Sequence, residues 1–205
     1  MKAHPRIMPI SCRAMRNAPP PPAAPTDPGA RRSRQVLLRG GPVSRAVAAG
    51  DLRLYRAIRS AARPPLLEPV ARFSALGEHA ALWLAVGAGG MALDGRRRAR
   101  WRRALYAVAG TYALNTAVKV VIGRARPALE DLPALVATPT ALSFPSAHAS
   151  SSFAAARAYS ALLPPAPLYA VAAAMALSRV YLGAHYPSDI AAGALFGTLT
   201  GSAGR

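Results

Sequence analysis

The chain has 205 residues, 52% of them hydrophobic, and carries a formal net charge of +18. Thirteen of its 26 Lys and Arg lie in residues 1–63 and six more in residues 96–103, so the second half is mainly apolar. Basic blocks flanking apolar runs are the pattern of a membrane protein. With few aromatics and no recognition motif beside the arginines, the same pattern argues against a nucleic-acid partner. The single cysteine, Cys12, excludes an internal disulfide and a cysteine-based zinc site.

Residues 1–42 hold the run Ala18 to Pro25, four of whose eight residues are consecutive prolines, together with scattered arginines. Such a segment cannot bury a core and is expected to be a disordered tail. It contains no apolar stretch of the secretory-leader kind. The remainder, 43–205, is expected to form one membrane-embedded domain.

Residues 46–62 read as a helix. Asp51, after Gly50, is placed to cap or open it. Arg53, Arg56, Arg59 and Arg63 recur along one side, and Leu52, Tyr55, Ile58 and Ala62 along another. This predicts a basic amphipathic helix lying on the membrane surface. Pro64-Pro65 ends it. Apolar segments follow at about 79–94, 104–122, 149–163, 166–182 and 189–203. Several are shorter than the ~20 residues of a straight span, but their Ala and Gly content suits close helix packing. The expected fold is all-α, an integral-membrane bundle of five to six helices with the first amphipathic.

Three motifs fall at the ends of these segments. Lys119 and Arg126 are seven residues apart, two helical turns, and Pro127 biases the chain to leave the helix near Arg126. Phe144-Pro145-Ser146-Ala147-His148 reads as a helix start. The free amides of Ser146, Ala147 and His148 would form an anion site there, with His148 beside it as a proton donor. Ser178-Arg179-Val180-Tyr181-Leu182-Gly183-Ala184-His185-Tyr186-Pro187-Ser188-Asp189 places an arginine at the end of one helix and a histidine in a link. Asp189 then lies in the first turn of the next helix, within reach of the His185 ring.

In order and spacing these motifs resemble the type 2 phosphatidic acid phosphatase superfamily, over residues 66–205. Its pattern is Lys-x6-Arg-Pro, then Pro-Ser-Gly-His, then Ser-Arg-x5-His-x3-Asp. The resemblance implies a core shared with the vanadium haloperoxidases and a mechanism without metal or cofactor. In it, His185 attacks phosphorus and becomes a phosphohistidine, Asp189 orients it, and His148 moves the proton. Lys119, Arg126, Arg179, Ser146 and the Ala147 amide hold the phosphoryl oxygens. One position departs from the pattern. Ala147 stands where the family has glycine, which keeps the amide donor and calls for a helical rather than a positive φ.

The stretch Phe73-Ser74-Ala75-Leu76-Gly77-Glu78-His79 resembles an actinobacterial subgroup acting on a polyprenyl-linked cell-wall precursor, decaprenylphosphoryl-5-phosphoribose. The expected partners are therefore a lipid phosphate substrate and membrane lipids. Phosphatidic acid, phosphatidylglycerol phosphate and polyprenyl diphosphate are the alternative substrates. A soluble haloperoxidase is disfavoured by the apolar segments, and a non-catalytic relic by the full set of charged residues. The run Arg96–Arg103 is expected on the cytoplasmic side, which puts the three motifs together on the far side. A re-entrant or crossing segment within 46–78 would return the N-terminal arginines to the cytoplasm and give six helices.

Overall fold

The computed structural model describes residues 42–205, with side chains from residue 46 onward, so nearly all of the expected tail lies outside the described residues. Seven α-helices occur among the described residues: α1 (Pro42–Ser60), α2 (Pro64–Ala75), α3 (Ala81–Leu93), α4 (Arg98–Ile122), α5 (Ala147–Tyr159), α6 (Pro165–Tyr181) and α7 (Pro187–Gly201). The all-helical expectation holds, with one more helix than the upper count.

The extra helix comes from the proline pair. Arg63 is extended (φ −105°, ψ 129°), as a residue before proline must be, and Pro64 then opens a new helix instead of merely ending the old one. Helix α1 runs through Asp51, which neither opens nor caps it. Its inward stripe is Asp51, Tyr55 and Arg59, spaced by four residues and all buried. Arg59 is thus not on an outer basic face. Its guanidinium donates to the carbonyls of Tyr181 at 3.2 Å and Pro133 at 2.7 Å. A hydropathy pattern assigns a guanidinium to solvent, whereas here two carbonyls take its Nη1 and Nη2.

Helix α5 is the centre of the bundle. Ten of its residues, from His148 to Tyr159, are buried, with α4, α6 and α7 packed around it. Gly193, Gly197 and Gly201 of α7 lie against its backbone. A Cβ on Gly193 would stand 2.7 Å from the Ser146 carbonyl oxygen, and one on Gly201 2.5 Å from that of Ala154. Small residues at four-residue spacing let two helix backbones meet.

Beside an apolar core the interior holds many polar side chains, and the exterior many apolar ones. Thr111, Asn115, Ser150, Ser151 and Ser152 are buried, while Leu93, Val121, Leu195 and Leu199 are exposed. Most inner polar groups find partners: Asn115 Nδ2 donates to Ser150 Oγ at 2.8 Å, and Trp83 Nε1 to Ser152 Oγ at 2.8 Å, while Asn115 Oδ1 has none among the described residues. This distribution suits a lipid solvent, in which polar groups must be satisfied internally. Helix α4 with its preceding turn, Gly95–Ile122, is long and apolar enough to cross a membrane.

Helices α3 to α7 traverse the bundle alternately. Helices α1 and α2 do not. Arg63 N donates to Tyr181 Oη at 2.9 Å at the start of α2, and Ser74 near its end takes Arg179 Nη1 at 2.8 Å. Both contacts are at the C-terminal end of α6. Both helices therefore make contacts at the same end of the bundle.

Candidate active site

Four helix ends supply the site. Helix α4 stops at Ile122 because Gly123 takes the left-handed conformation (φ 65°) and its amide caps the Lys119 carbonyl at 3.0 Å. This leaves Lys119 in the last turn and Arg126 in the loop beyond. Helix α5 opens with Ala147, after Ser146 in extended conformation. Helix α6 ends two residues after Arg179, and the link through Gly183 (φ 79°) carries His185. Helix α7 begins at Pro187, with the Asp189 carboxylate accepting the Tyr186 amide at 2.9 Å.

These ends close on one cavity of about 90 Å³. Lys119, Arg126, Ala147, His148, Arg179 and His185 all line it. His185 is 2% exposed. Its Nδ1 faces Asp189 Oδ2 at 3.4 Å, and its Nε2 faces Arg126 Nη1 at 3.0 Å. Burial first, and then the charges of Arg126, Lys119 and Arg179, hold the imidazole well below its ordinary pKa. It is therefore neutral, with Nδ1–H toward the aspartate and the Nε2 lone pair toward the cavity. Burial and the neighbouring Arg179 lower Arg126 itself to about 10, which leaves it charged at neutral pH.

Lys119 and Arg126 are held by backbone oxygens, Arg179 by a serine hydroxyl. Arg126 donates to the carbonyls of Thr140 at 2.8 Å and Ala184 at 2.7 Å. Lys119 Nζ donates to Leu142 O at 3.3 Å. Arg179 Nη1 is tied to Ser74, while its Nε is buried with no partner among the described residues. His148 Nε2 lies 3.1 Å from the Ser74 carbonyl and 4.0 Å from Glu78 Oε1.

Two sequence-predicted members stand back from the cavity wall. Asp189 lies behind His185. Ser146 is fully buried: its hydroxyl accepts the Ala149 amide at 3.4 Å, and its own amide donates to Asp189 O at 3.1 Å. Of the three amides expected at the start of α5, that of Ser146 is thus already taken. Ala147 is helical in φ, as a non-glycine residue at this place requires.

Ser74, Gly77, Glu78 and His79, outside the three motifs, also belong to the site. Gly77 lies so close to the second histidine that a Cβ would stand 2.6 Å from His148 Cδ2. Glu78 and His79 line the cavity, and His79 holds a positive φ of 51° with its Nδ1 2.8 Å from Tyr112 Oη. The string Phe73 to His79 was singled out as a resemblance, and a glycine followed by two ionisable residues was the available signal. Asp51 and Arg124 were also passed over.

A polar-cored, lipid-faced helical bundle that gathers two histidines and three cations at one end is built for phosphoryl transfer within a membrane. The chain belongs to the PAP2 superfamily, whose family model matches residues 100–204; it is a membrane phosphatase, a hydrolase of phosphate esters. It is 41% identical over 137 residues to a decaprenylphosphoryl-5-phosphoribose phosphatase of Mycolicibacterium smegmatis, covering 65% of this chain and 74% of that one. It is 38% identical over 162 residues to a protein of the same name from Mycobacterium tuberculosis, covering 75% and 88%. Among solved structures it is similar to Aquifex aeolicus LpxE, with TM-score 0.66 and 27% identity over 75% of this chain and 93% of that one. The fold also matches a PAP2-type phosphatidylglycerolphosphate phosphatase from Bacillus subtilis, with TM-score 0.62 and 24% identity over 76% and 82%.

Proposed function

We propose that this membrane phosphatase hydrolyses the phosphomonoester of a polyprenyl-linked sugar phosphate of the decaprenylphosphoryl-5-phosphoribose kind. Phosphatidic acid, phosphatidylglycerol phosphate and polyprenyl diphosphate are poorer substrates. Residues 43–205 act as one membrane-embedded catalytic unit, with the tail of the lipid left in the bilayer and the phosphate end in the cavity. The observation that carries the chemistry is the His185 ring, neutral and fixed between Asp189 and Arg126 at the floor of a cavity walled by cations. The substrate class is supported by the named relatives at 38–41% identity.

In the first step His185 Nε2 attacks phosphorus and the bond from phosphorus to the ester oxygen breaks. Arg126 releases the lone pair of Nε2 and donates to a phosphoryl oxygen instead. Lys119, Arg179 through its unpartnered Nε, and the Ala147 amide take the other charge. His148 gives its proton to the departing alkoxide. In the second step His148 accepts a proton from water, water attacks phosphorus, and the bond to Nε2 breaks. Inorganic phosphate and neutral His185 are released. Asp189 stabilises the imidazole while it is phosphorylated, and Ser146 contributes as the cap of α5.

The test is phosphate release by the detergent-solubilised chain from the four lipids. Polyprenyl-phosphoryl-ribose phosphate is expected to show the highest kcat/KM, by about tenfold or more, the scale of one or two lost polar contacts. Equal or better turnover of phosphatidic acid overturns the substrate class. His185→Ala is expected to lose on the order of a thousandfold or more in kcat and all acid-labile protein-bound phosphate. Full activity in that variant removes the nucleophile.

A further inference from the structure

The residues matched by the family model begin at 100, yet a side chain from α1 reaches the support of the reaction centre. Asp51 is buried at 5% exposure. Its Oδ1 accepts the Ser188 amide at 2.8 Å, and its Oδ2 accepts the Ser188 hydroxyl and Arg124 Nη2, the latter at 2.8 Å. The other arm of the same guanidinium, Arg124 Nη1, donates to Asp189 Oδ1 at 2.8 Å and to Ser188 Oγ at 2.7 Å. The guanidinium carbon lies 4.5 Å from the centre of the Tyr186 ring. Asp189 keeps Oδ2 for the Tyr186 amide and His185 Nδ1.

One planar cation is thus shared between two carboxylates, one arm to each. The geometry decides which oxygen of Asp189 is left for the histidine. With Asp51 removed, both arms of Arg124 are free to grip Asp189 bidentately, the favoured geometry for this pair, and that draws Oδ2 from the imidazole. With Arg124 removed, two buried carboxylates face each other without a counter-charge. The rest of the α1 stripe holds the same link. Tyr55 Oη donates to Gly183 O at 3.4 Å, and Arg59 Nη1 to Tyr181 O at 3.2 Å. Residues 51, 55 and 59 therefore brace the link on both sides of His185.

Resting on the assignment of His185 as nucleophile, we propose that Asp51 and Arg124 are positioning residues for the reaction. Helix α1 acts through Arg124 and Asp189 to set the tautomer and aim of the histidine. Neither residue touches the phosphoryl group, so their loss acts on the chemical step and not on binding.

The experiment compares Asp51→Asn, Arg124→Gln, the double variant and Arg124→Lys in the full chain in detergent. It uses one phosphomonoester substrate, orthovanadate as competitive inhibitor and a thermal melt of each sample. Removing a group that orients a reactive side chain costs on the order of 10- to 100-fold. Asp51→Asn and Arg124→Gln are each expected to lower kcat by that amount, with KM and vanadate inhibition within about twofold of the starting protein. The double variant is expected to be no worse than the weaker single one, because the two act as one unit. Arg124→Lys, which keeps the charge without the fork, is expected to fall between.

Unchanged kcat in Asp51→Asn overturns the proposal. So does a fall in kcat matched by equal losses in vanadate affinity and melting temperature, which marks a structural role. If Asp51→Asn does not fold, Arg124→Lys decides by the same criteria. His185→Ala in the same series separates the two readings. Activity there removes the nucleophile assignment itself, whereas an inactive His185→Ala beside a fully active Asp51→Asn removes only the role of α1.

Discussion

Ser74 does two things at the site: its hydroxyl accepts Arg179 Nη1 at 2.8 Å and its carbonyl accepts His148 Nε2 at 3.1 Å. Only the first depends on the side chain. Ser74→Ala is therefore expected to loosen Arg179 and leave His148 in place. A hydrogen bond to a charged group is worth about 1.5–3 kcal/mol, which is on the order of a 10- to 100-fold fall in kcat/KM. Steady-state kinetics with one phosphomonoester measures it, and a change below twofold refutes the anchoring role. Ala147 is the complementary case. It opens α5 in a helical conformation, so its methyl group neither strains the backbone nor removes the amide. Ala147→Gly is expected to change turnover by less than about tenfold, with a helix destabilised by roughly 0.5–1 kcal/mol. A hundredfold gain in turnover would show that the methyl group obstructs the phosphate. At this scale Lys119, Arg126, His148, Arg179, His185 and Asp189 were legible, because an ionisable residue in an apolar stretch is costly without a purpose. Ser74 was not, because half of its role is carried by a main-chain carbonyl that any residue has.

At the scale of elements, α5 and α7 show what spacing reveals and hides. Gly193, Gly197 and Gly201 recur every fourth residue, and the structure lays all three on the backbone of α5. A Cβ at Gly197 collides with the Ser150 carbonyl oxygen, a rigid backbone atom. Gly197→Ala is therefore expected to part the two helices. Overpacking costs typically 1–3 kcal/mol, read as a lower melting temperature in detergent. Because α7 carries Asp189 and α5 carries His148, kcat is expected to fall with it. A melting temperature at or above that of the starting protein would deny the close contact. The apolar segments of α3, α4, α6 and α7 could be read from hydropathy. Helix α2 could not, because Pro64-Pro65 serves equally as a stop and as a first turn. The inward stripe of α1 was hidden for another reason. Asp51 and Arg59 are charged, and only their partners, Arg124 and two carbonyls far along the chain, make burial tolerable.

At the scale of the whole molecule, the charges of the two ends argue for one orientation. Lys119 at the end of α4, His148 at the start of α5 and Arg179 at the end of α6 line one cavity, and Asp189 at the start of α7 lies behind its His185, so these four helices alternate in direction. The opposite end carries Arg96, Arg97, Arg98, Arg100, Arg102 and Arg103, with Arg205 bonded to the Arg157 carbonyl and the Ser160 hydroxyl. At the site end, Lys119, Arg124, Arg126 and Arg179 are occupied by carbonyls, carboxylates or Ser74, and Arg59 by two carbonyls. Six arginines are thus concentrated in the short turn before α4 and the first two turns of that helix, with Arg97 paired to Asp94. A basic segment of this kind beside a span sets orientation, and it is expected on the cytoplasmic side, with the cavity opening on the other face. Because Asp51, Arg59, Arg63 and Ser74 all make contacts at the site end of the bundle, the described residues of α1 and α2 are expected on the face of the cavity, and the arginines of α1 are expected to count less than the six in residues 96–103. The measurement is labelling of single cysteines in intact cells by a membrane-impermeant maleimide, in a Cys12→Ser background. Glu130→Cys, exposed in the loop after α4, is expected to react, and Ala99→Cys, exposed among the arginines, only after the cells are opened. The reverse pattern would place the cavity in the cytoplasm. Labelling of both sites from outside would break the alternation of α4 and with it the convergence of the four helix ends.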